Sequence, residues 1–382
     1  MAINITLTHQ YEDFQRLETE WTSLLENSHA FGAALTWPWI NIWLKHFSNE
    51  GELWLLQARD ETSNRLLGIA PLFKIRVSPK YGTSYRQIEF VGASHHQENL
   101  DFIIQPGYEE QIIPKFLDML YQHKNAWDVI LISSLDNPKT AKALSSSGFK
   151  WERNERWEMI SPYMDLPANP EEWMQSLSKN RRWKLRRYHR ALDETYGENW
   201  EIRSITTKEE LDKVFDVLVK HHQANWETKG KAGAFKYGNW TDYYRELMYT
   251  LFDQGWLRLN CLCLNGRSEV SLFSYHYASR AYNLISGYNK DITDIPIGHV
   301  MTHFSIELAI REGLHKYHFM WGEESYKYSF GGVDRTLQAF EHVRNPFIKF
   351  QKDMINFLKN LRKIAENDQR FRQYSLMESV LK

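Results

Sequence analysis

AYNLISGYNKDITDIPIGHVMTHFSIELAIREGLHKYHFMWGEESYK, residues Ala281–Lys327, is the stretch whose reading decides the fold. Its opening run alternates, with Tyr282, Leu284, Ser286 and Tyr288 on one face of a strand and Asn283, Ile285 and Gly287 on the other. Asn289–Ile297 is polar and turn-forming, with Pro296 and Gly298 at its end. His299–Glu312 predicts a helix that stops at Gly313, and Tyr317–Trp321 predicts a second strand. A β-loop-α-β unit presents unpaired backbone N–H groups at the start of its helix, where an anion is readily held. The loop that follows, Gly322-Glu323-Glu324-Ser325-Tyr326-Lys327, brings acid, base and hydroxyl groups to the same strand ends. The pattern predicts a phosphate-bearing cofactor site with chemistry beside it.

Composition narrows the partners. A chain of 382 residues, 42% hydrophobic and 25% charged, is long enough and apolar enough for two globular domains. A formal net charge of −1 argues against a general polyanion binder, so nucleic acid is not the expected partner. The two cysteines, Cys261 and Cys263, cannot build a disulfide scaffold. Two apart on a predicted strand, they share a side with Leu257 and Leu259 and read as core residues; a zinc site lacks its second Cys/His pair. The start, MAINITLTHQYEDFQ, has no basic region followed by an apolar core, and no apolar run reaches membrane-span length. A cytoplasmic protein is expected. Most of the 15 tryptophans are expected in the core, though flat aromatic surfaces also suit sugar rings.

Taken in order, the chain repeats itself. Gln10–Asn27 and the segment after Thr36 read as amphipathic helices, followed by a hairpin (Leu53–Arg59 with Leu66–Phe73), strands at Arg86–Val91 and Leu100–Ile104, a helix Glu109–Tyr121 after Pro106-Gly107, and a strand Trp127–Ser133. The three prolines of Ser161–Pro170 read as a connector, and Asn169-Pro170-Glu171-Glu172 opens a helix that leads into the basic run Lys179–Arg190. That run is either a solvated face or a clamp for phosphates. A second series follows: a capping box at Thr207–Glu210, a glycine loop over Gly230–Gly238, and a hairpin turned at Asn265-Gly266. The opening stretch then completes it. Pro346–Glu366 reads as an amphipathic terminal helix with Phe347, Phe350, Met354, Phe357, Leu358 and Leu361. The expected fold is α/β, two tandem units each with a mixed sheet flanked by helices. The expected segments are 1–165 (non-catalytic), 166–345 (catalytic) and 346–382 (helical tail).

Gly298 either ends a loop or lets a ligand phosphate approach the backbone. His299, His303 and Glu307 share one helical face, yet no acid follows His299 as in a zinc-protease helix, and no metal site is expected. Glu323, Glu324, Tyr326 and Lys327 supply general-base, general-acid and anchoring groups. His276 reads as a core-edge histidine and His222 as an exposed one. No GxSxG, GxxxxGK[ST] or GxGxxG occurs.

The chain resembles the CelD-like acyltransferases of the GNAT acetyltransferase superfamily, associated with cellulose and exopolysaccharide synthesis, and more distantly the FemABX peptidyltransferases. The likeness runs from about Phe31 to Phe330. It rests on Thr36-Trp37-Pro38-Trp39 with Trp43, Gly68-Ile69-Ala70-Pro71-Leu72, Asp101-Phe102 and the basic helix. It continues through His222 and Trp226, Gly230 to Phe235, Gly287-Tyr288-Asn289, Gly298 and Gly322–Lys327. It implies an acyl-CoA donor lying between the strands that end at Tyr288 and Trp321. Backbone groups of Ser286, Gly287 and Tyr288 would meet the thioester, and Ile297, Gly298 and His299 the pyrophosphate. It also implies Glu323 as base and Tyr326 as acid, with Lys327 positioning the acceptor and Glu324 and His222 as further catalytic candidates. A saccharide or other small acceptor follows, with a polysaccharide-synthesis assembly as partner. This chain departs from the family in having Pro296-Ile297-Gly298 for Ser-Pro-Gly, Asn225 for an Arg and His318 for an Asp. Two rival readings are an aminoacyltransferase using aminoacyl-tRNA and a non-catalytic scaffold.

Overall fold

A computed structural model describes residues 2–236, 238–358 and 361. The first half supplies β1 (Ile3–Thr8), β2 (Gly51–Asp60), β3 (Leu66–Val77), β4 (Tyr85–Phe90), the short β5 (Ile103–Ile104), β6 (Val129–Leu135), β7 (Glu152–Arg153), β8 (Met159–Ile160) and β9 (Tyr163–Asp165). The second supplies β10 (Trp200–Ser204), β11 (Leu257–Leu264), β12 (Arg267–Tyr277), β13 (Arg280–Tyr288), β14 (Lys316–His318) and β15 (Thr336–Val343). One sheet runs β1-β2-β3-β4-β6-β15 and the other β10-β11-β12-β13-β14-β9. Each is antiparallel except at one place, β4–β6 in the first and β13–β14 in the second. The expected α/β architecture of two mixed sheets flanked by helices is the observed one.

The sixth strand of each sheet comes from the other half of the chain. β15 returns after the second sheet to pair β6, and β9 leaves the first half to pair β14. A division at 165/166 therefore leaves each sheet holding a strand of the other segment. The halves also share a core. Phe47 of helix Trp37–Phe47 lies 5.2 Å from both Trp240 and Tyr243 of helix Trp240–Asp253, and Trp39 sits edge-on to Tyr275 at 5.3 Å.

In the second sheet alternation sorts the helices. Leu262, Val270 and Leu272 face helices Lys179–Tyr196 and Ile297–Arg311, whereas Cys261, Phe273 and Tyr275 face helices Lys208–Glu227 and Trp240–Asp253. Cys261 and Cys263 are buried and free, with sulfurs 3.6 Å apart. Asn265 and Gly266 both take positive φ (50° and 73°), the geometry a two-residue hairpin turn needs.

Some elements differ from expectation. The predicted strand Tyr317–Trp321 ends at His318, because the Phe319 N–H donates to Pro162 O instead and Met320 turns into the left-handed region. Leu100–Ile104 shrinks to β5. The helix opened by Asn169 stops at Ser176, and Ser178 caps a new one by accepting from the Arg181 N–H at 3.1 Å. The terminal helix is present over 346–358; the rest of Pro346–Glu366, apart from Leu361, lies outside the described residues. Its Phe347, Phe350, Met354, Phe357 and Leu358 face outward, while Ile348 is buried and Lys349 and Lys352 pair with Glu152 and Glu341.

Candidate active site

β13 and β14 pair only from Arg280–Tyr282 against Lys316–His318. β13 then runs on to Tyr288 with no strand on that side, and the two diverge. On its other edge a bulge leaves Leu284 without an opposite residue, since Phe273 faces Ile285 and Ser274 faces Asn283. A bulge turns the strand and sharpens its twist, which widens the split. The opening is a cavity of about 520 Å³ that passes from the helix start at Ile297 to the loop after β14. At the corresponding place in the first sheet Phe90, just beyond the β4–β6 pairing, stacks edge-to-face on buried Phe102 at 5.0 Å.

His222, Ser286, Tyr288, Ile297, Gly298, His299, Glu324, Tyr326 and Lys327 line this cavity; Gly287 and Glu323 do not. Gly287 instead faces helix Lys208–Glu227, where a Cβ would stand 2.6 Å from Leu218 O and 2.8 Å from His222 N. It is glycine so that the helix can lie against the strand. Glu323 is exposed.

His222, expected at the surface, is buried. Its Nδ1 lies 3.0 Å from Ser286 O and its Nε2 accepts from the Ala234 N–H at 3.4 Å, so the proton belongs on Nδ1. Burial holds its pKa below the usual value. Both ring nitrogens are engaged, and the ring ties β13 to the loop after the helix. Asn225 performs a similar task. With its amide turned, Nδ2 donates to Tyr288 O (3.2 Å) and His221 O (3.3 Å), and Oδ1 accepts from the Tyr288 N–H (3.2 Å). The side chain continues the ladder that β14 has left. The backbone of Tyr288 and the carbonyl of Ser286 are therefore already occupied.

At the other end of the split the backbone is also partly taken. The Ile297 N–H donates to Ile295 O (2.7 Å) and the His299 N–H to Pro296 O (2.9 Å), leaving Gly298 with the unengaged amide among the three. A Cβ on Gly298 would meet nothing but Tyr288 Cδ1, at 3.9 Å. Packing does not demand glycine here; the space beside it belongs to the cavity.

Lys327, expected to position an acceptor, is 2% exposed and donates to the carbonyls of Met320 (2.7 Å), Trp321 (2.9 Å) and Gly322 (3.0 Å), with Glu324 Oε2 at 2.9 Å. It fixes the loop after β14. Burial lowers its pKa, which Glu324 opposes. Burial pushes the Tyr326 phenol up, so it stays protonated. His318 is buried with neither nitrogen partnered, and burial drives its pKa well down. It is one rung of an aromatic ladder across four strands, Tyr275, Tyr282, His318 and Tyr163, spaced 4.7, 4.7 and 5.9 Å.

Nothing in the sequence signalled that the first half reaches this site. Buried Glu98 accepts from the Trp321 N–H (2.5 Å) and from Ser161 Oγ–H (2.6 Å), and Arg335 joins it at 3.4 Å. His96 stacks on half-exposed Trp321 at 5.3 Å. Among the described residues no group of His, Cys, Asp and Glu is arranged to hold a metal, and no helix is long and apolar enough to cross a membrane.

Residues 179–328 match the family model of the acetyltransferase (GNAT) domain. The chain is similar to FemX, with a TM-score of 0.60 and 12% identity over 89% of this chain and 98% of that one. It is also similar to a conserved protein of unknown function from Bacteroides thetaiotaomicron VPI-5482 (0.54, 12%, 89% and 99%) and to L-PGS from Bacillus licheniformis (0.51, 9%, 92% and 97%). At these identities the likeness is one of fold. No curated protein matches the chain. Over residues 179–328 it carries a GNAT-type acetyltransferase domain, set in a doubled fold like that of FemX.

Proposed function

We propose that this protein transfers an acyl group, acetyl in the simplest case, from acyl-CoA to an amine or hydroxyl acceptor, as a CelD-like enzyme of cell-surface polysaccharide or related metabolism. The observation that carries this reading is the split between β13 and β14, open through to both faces, with a helix start on one side and a carboxylate and a phenol on the other. Acyl-CoA, when bound, supplies an activated thioester. Gly298 N–H and the helix dipole suit the donor's phosphates. Glu324, the carboxylate on the cavity, takes the acceptor proton, and Tyr326, kept protonated by burial, returns one to the leaving thiolate. His222, Asn225 and Lys327 act as positioning residues that hold the two diverging strand ends. Trp226 and Trp321 give the acceptor side flat aromatic walls. Calorimetric titration with CoA, followed by acetyl-CoA turnover against amine and hydroxyl acceptors, tests the reading; absence of CoA binding overturns it.

A second reading, an aminoacyl-tRNA donor, is favoured by one feature. Lys179, Lys184, Arg186, Arg187 and Arg190 are exposed on the basic helix beside exposed Trp183. RNA binding that falls steeply with salt would favour it.

A further inference from the structure

We propose that Arg181 and His299 form a built anion site, in which the buried guanidinium fixes the imidazole so that His299 Nε2–H donates to a phosphate group of the ligand. The name of that phosphate's owner rests on the acyl-CoA reading; the site itself rests on geometry.

Arg181 is the exception in its helix. The Ser178 cap places it in the first turn, and its side chain turns inward and is 6% exposed. The guanidinium lies 3.8 Å over the Phe330 ring, and Nε and Nη2 have no hydrogen-bond partner. Its one polar contact is Nη1 to His299 Nδ1 at 3.3 Å. No carboxylate is bonded to either residue among the described ones; the ionisable neighbours are Lys184, Tyr188 and Tyr326. A buried cation without an anion is unfavourable and marks a place where an anion is to be supplied.

The tautomer follows. Arginine only donates, so His299 Nδ1 accepts and the ring proton sits on Nε2. Burial, with Arg181 and Lys184 adding to it, takes the His299 pKa to about 4, so the ring is neutral at ordinary pH. Nε2 has no protein partner among the described residues, and His299 lines the cavity beside Gly298. The helix start thus offers one free amide, one imidazole N–H and a cation behind them. The imidazole supplies a donor where the backbone amides of Ile297 and His299 are already engaged.

The experiment is calorimetry of the whole protein with CoA and, separately, inorganic pyrophosphate, for the wild type, His299→Phe, His299→Gln and Arg181→Met, together with ¹⁵N spectra of the histidines. His299→Phe is expected to weaken both ligands about ten- to hundred-fold, the range for a hydrogen bond to a charged group. His299→Gln keeps an N–H at the Nε2 position and is expected to restore most of that loss. The wild-type spectrum should show His299 as the neutral Nε2–H tautomer, and Arg181→Met should let the Nδ1–H form in. Unchanged binding in His299→Phe while the wild type binds CoA overturns the proposal and leaves the acyl-CoA reading standing. Pyrophosphate binding lost in His299→Phe, with no CoA binding at all, supports the site and overturns the CoA donor. A wild type that binds neither ligand overturns both.

Discussion

Gly298→Ala separates a glycine kept for the ligand from one kept for the fold. The added Cβ meets only Tyr288 Cδ1, at an ordinary contact distance of 3.9 Å. Gly298 has no positive φ to protect, because it lies within the helix Ile297–Arg311. The free protein should therefore unfold at the same temperature or higher, since alanine in a helix is better than glycine by up to about 1 kcal/mol. The methyl group stands in the cavity next to the unengaged amide. If it keeps a phosphate from that N–H, a charge-assisted hydrogen bond of about 1.5–3 kcal/mol is lost. At about 1.4 kcal/mol per tenfold, the Kd for CoA rises roughly ten- to hundred-fold. Calorimetry and thermal unfolding of the free protein measure the two halves separately. An unchanged Kd would refute the assignment of this amide; a collapse of the free protein would show that packing explains the glycine.

Glu324→Gln should lower kcat by roughly a hundredfold or more with CoA affinity kept, and Tyr326→Phe should lower it less, whereas Glu323→Gln, which lies off the cavity, stays close to wild type; equal losses in Glu323→Gln and Glu324→Gln would undo the distinction. Lys327→Met leaves three carbonyls without their donor, and urea unfolding should show a loss on the order of 3 kcal/mol; a variant as stable as wild type would mean that the ammonium does not fix the loop. Asp128 is raised by burial, but hydrogen bonds from the Arg86 side chain and backbone and from Asn345 bring its pKa to about 2. Its folded value lies below the unfolded value of about 3.9, so its contribution of about 2 kcal/mol is present above pH 4 and is lost as pH falls through 2. Asp128→Asn should remove that acid-side slope in a pH series of denaturation midpoints, and an unaltered slope would assign it to other carboxyls.

Local signals were strong wherever the chemistry is local. Asn265-Gly266 dictates its hairpin because two successive positive φ angles suit few other residues, and the Ala281–Tyr288 alternation dictates a two-faced strand. Asn169 announces a helix start and caps it as expected. Extrapolation misled in several places, two of them on helices. The charge run Lys179–Arg190 reads as one uniform surface, yet Arg181 is buried while Lys179, Lys184, Arg186, Arg187 and Arg190 are exposed, because the Ser178 cap sets the helix phase. The hydrophobic stripe of the terminal helix predicts burial, but the described part of it faces outward.

The candidate residues themselves were visible, as a glycine at a helix entrance and a cluster of acid, hydroxyl and amine groups at a strand end. Their duties were not. Whether Glu323 or Glu324 faces the cavity depends on one turn of backbone around Gly322, and whether Lys327 is free depends on three carbonyls brought back by that turn. Sequence alone determined the two hairpins, most of the helices and the doubling, because periodicity and turn chemistry act over a few residues, whereas β1, β9, β10 and β15 were not anticipated and the place of the split was implied by the family resemblance. The exchanged sixth strands, the reach of Glu98 and His96 to Trp321, and the contact of Arg181 with His299 were decided by tertiary structure. Each joins residues far apart in the chain, and their pairing depends on how two sheets and their helices pack, which no local pattern encodes.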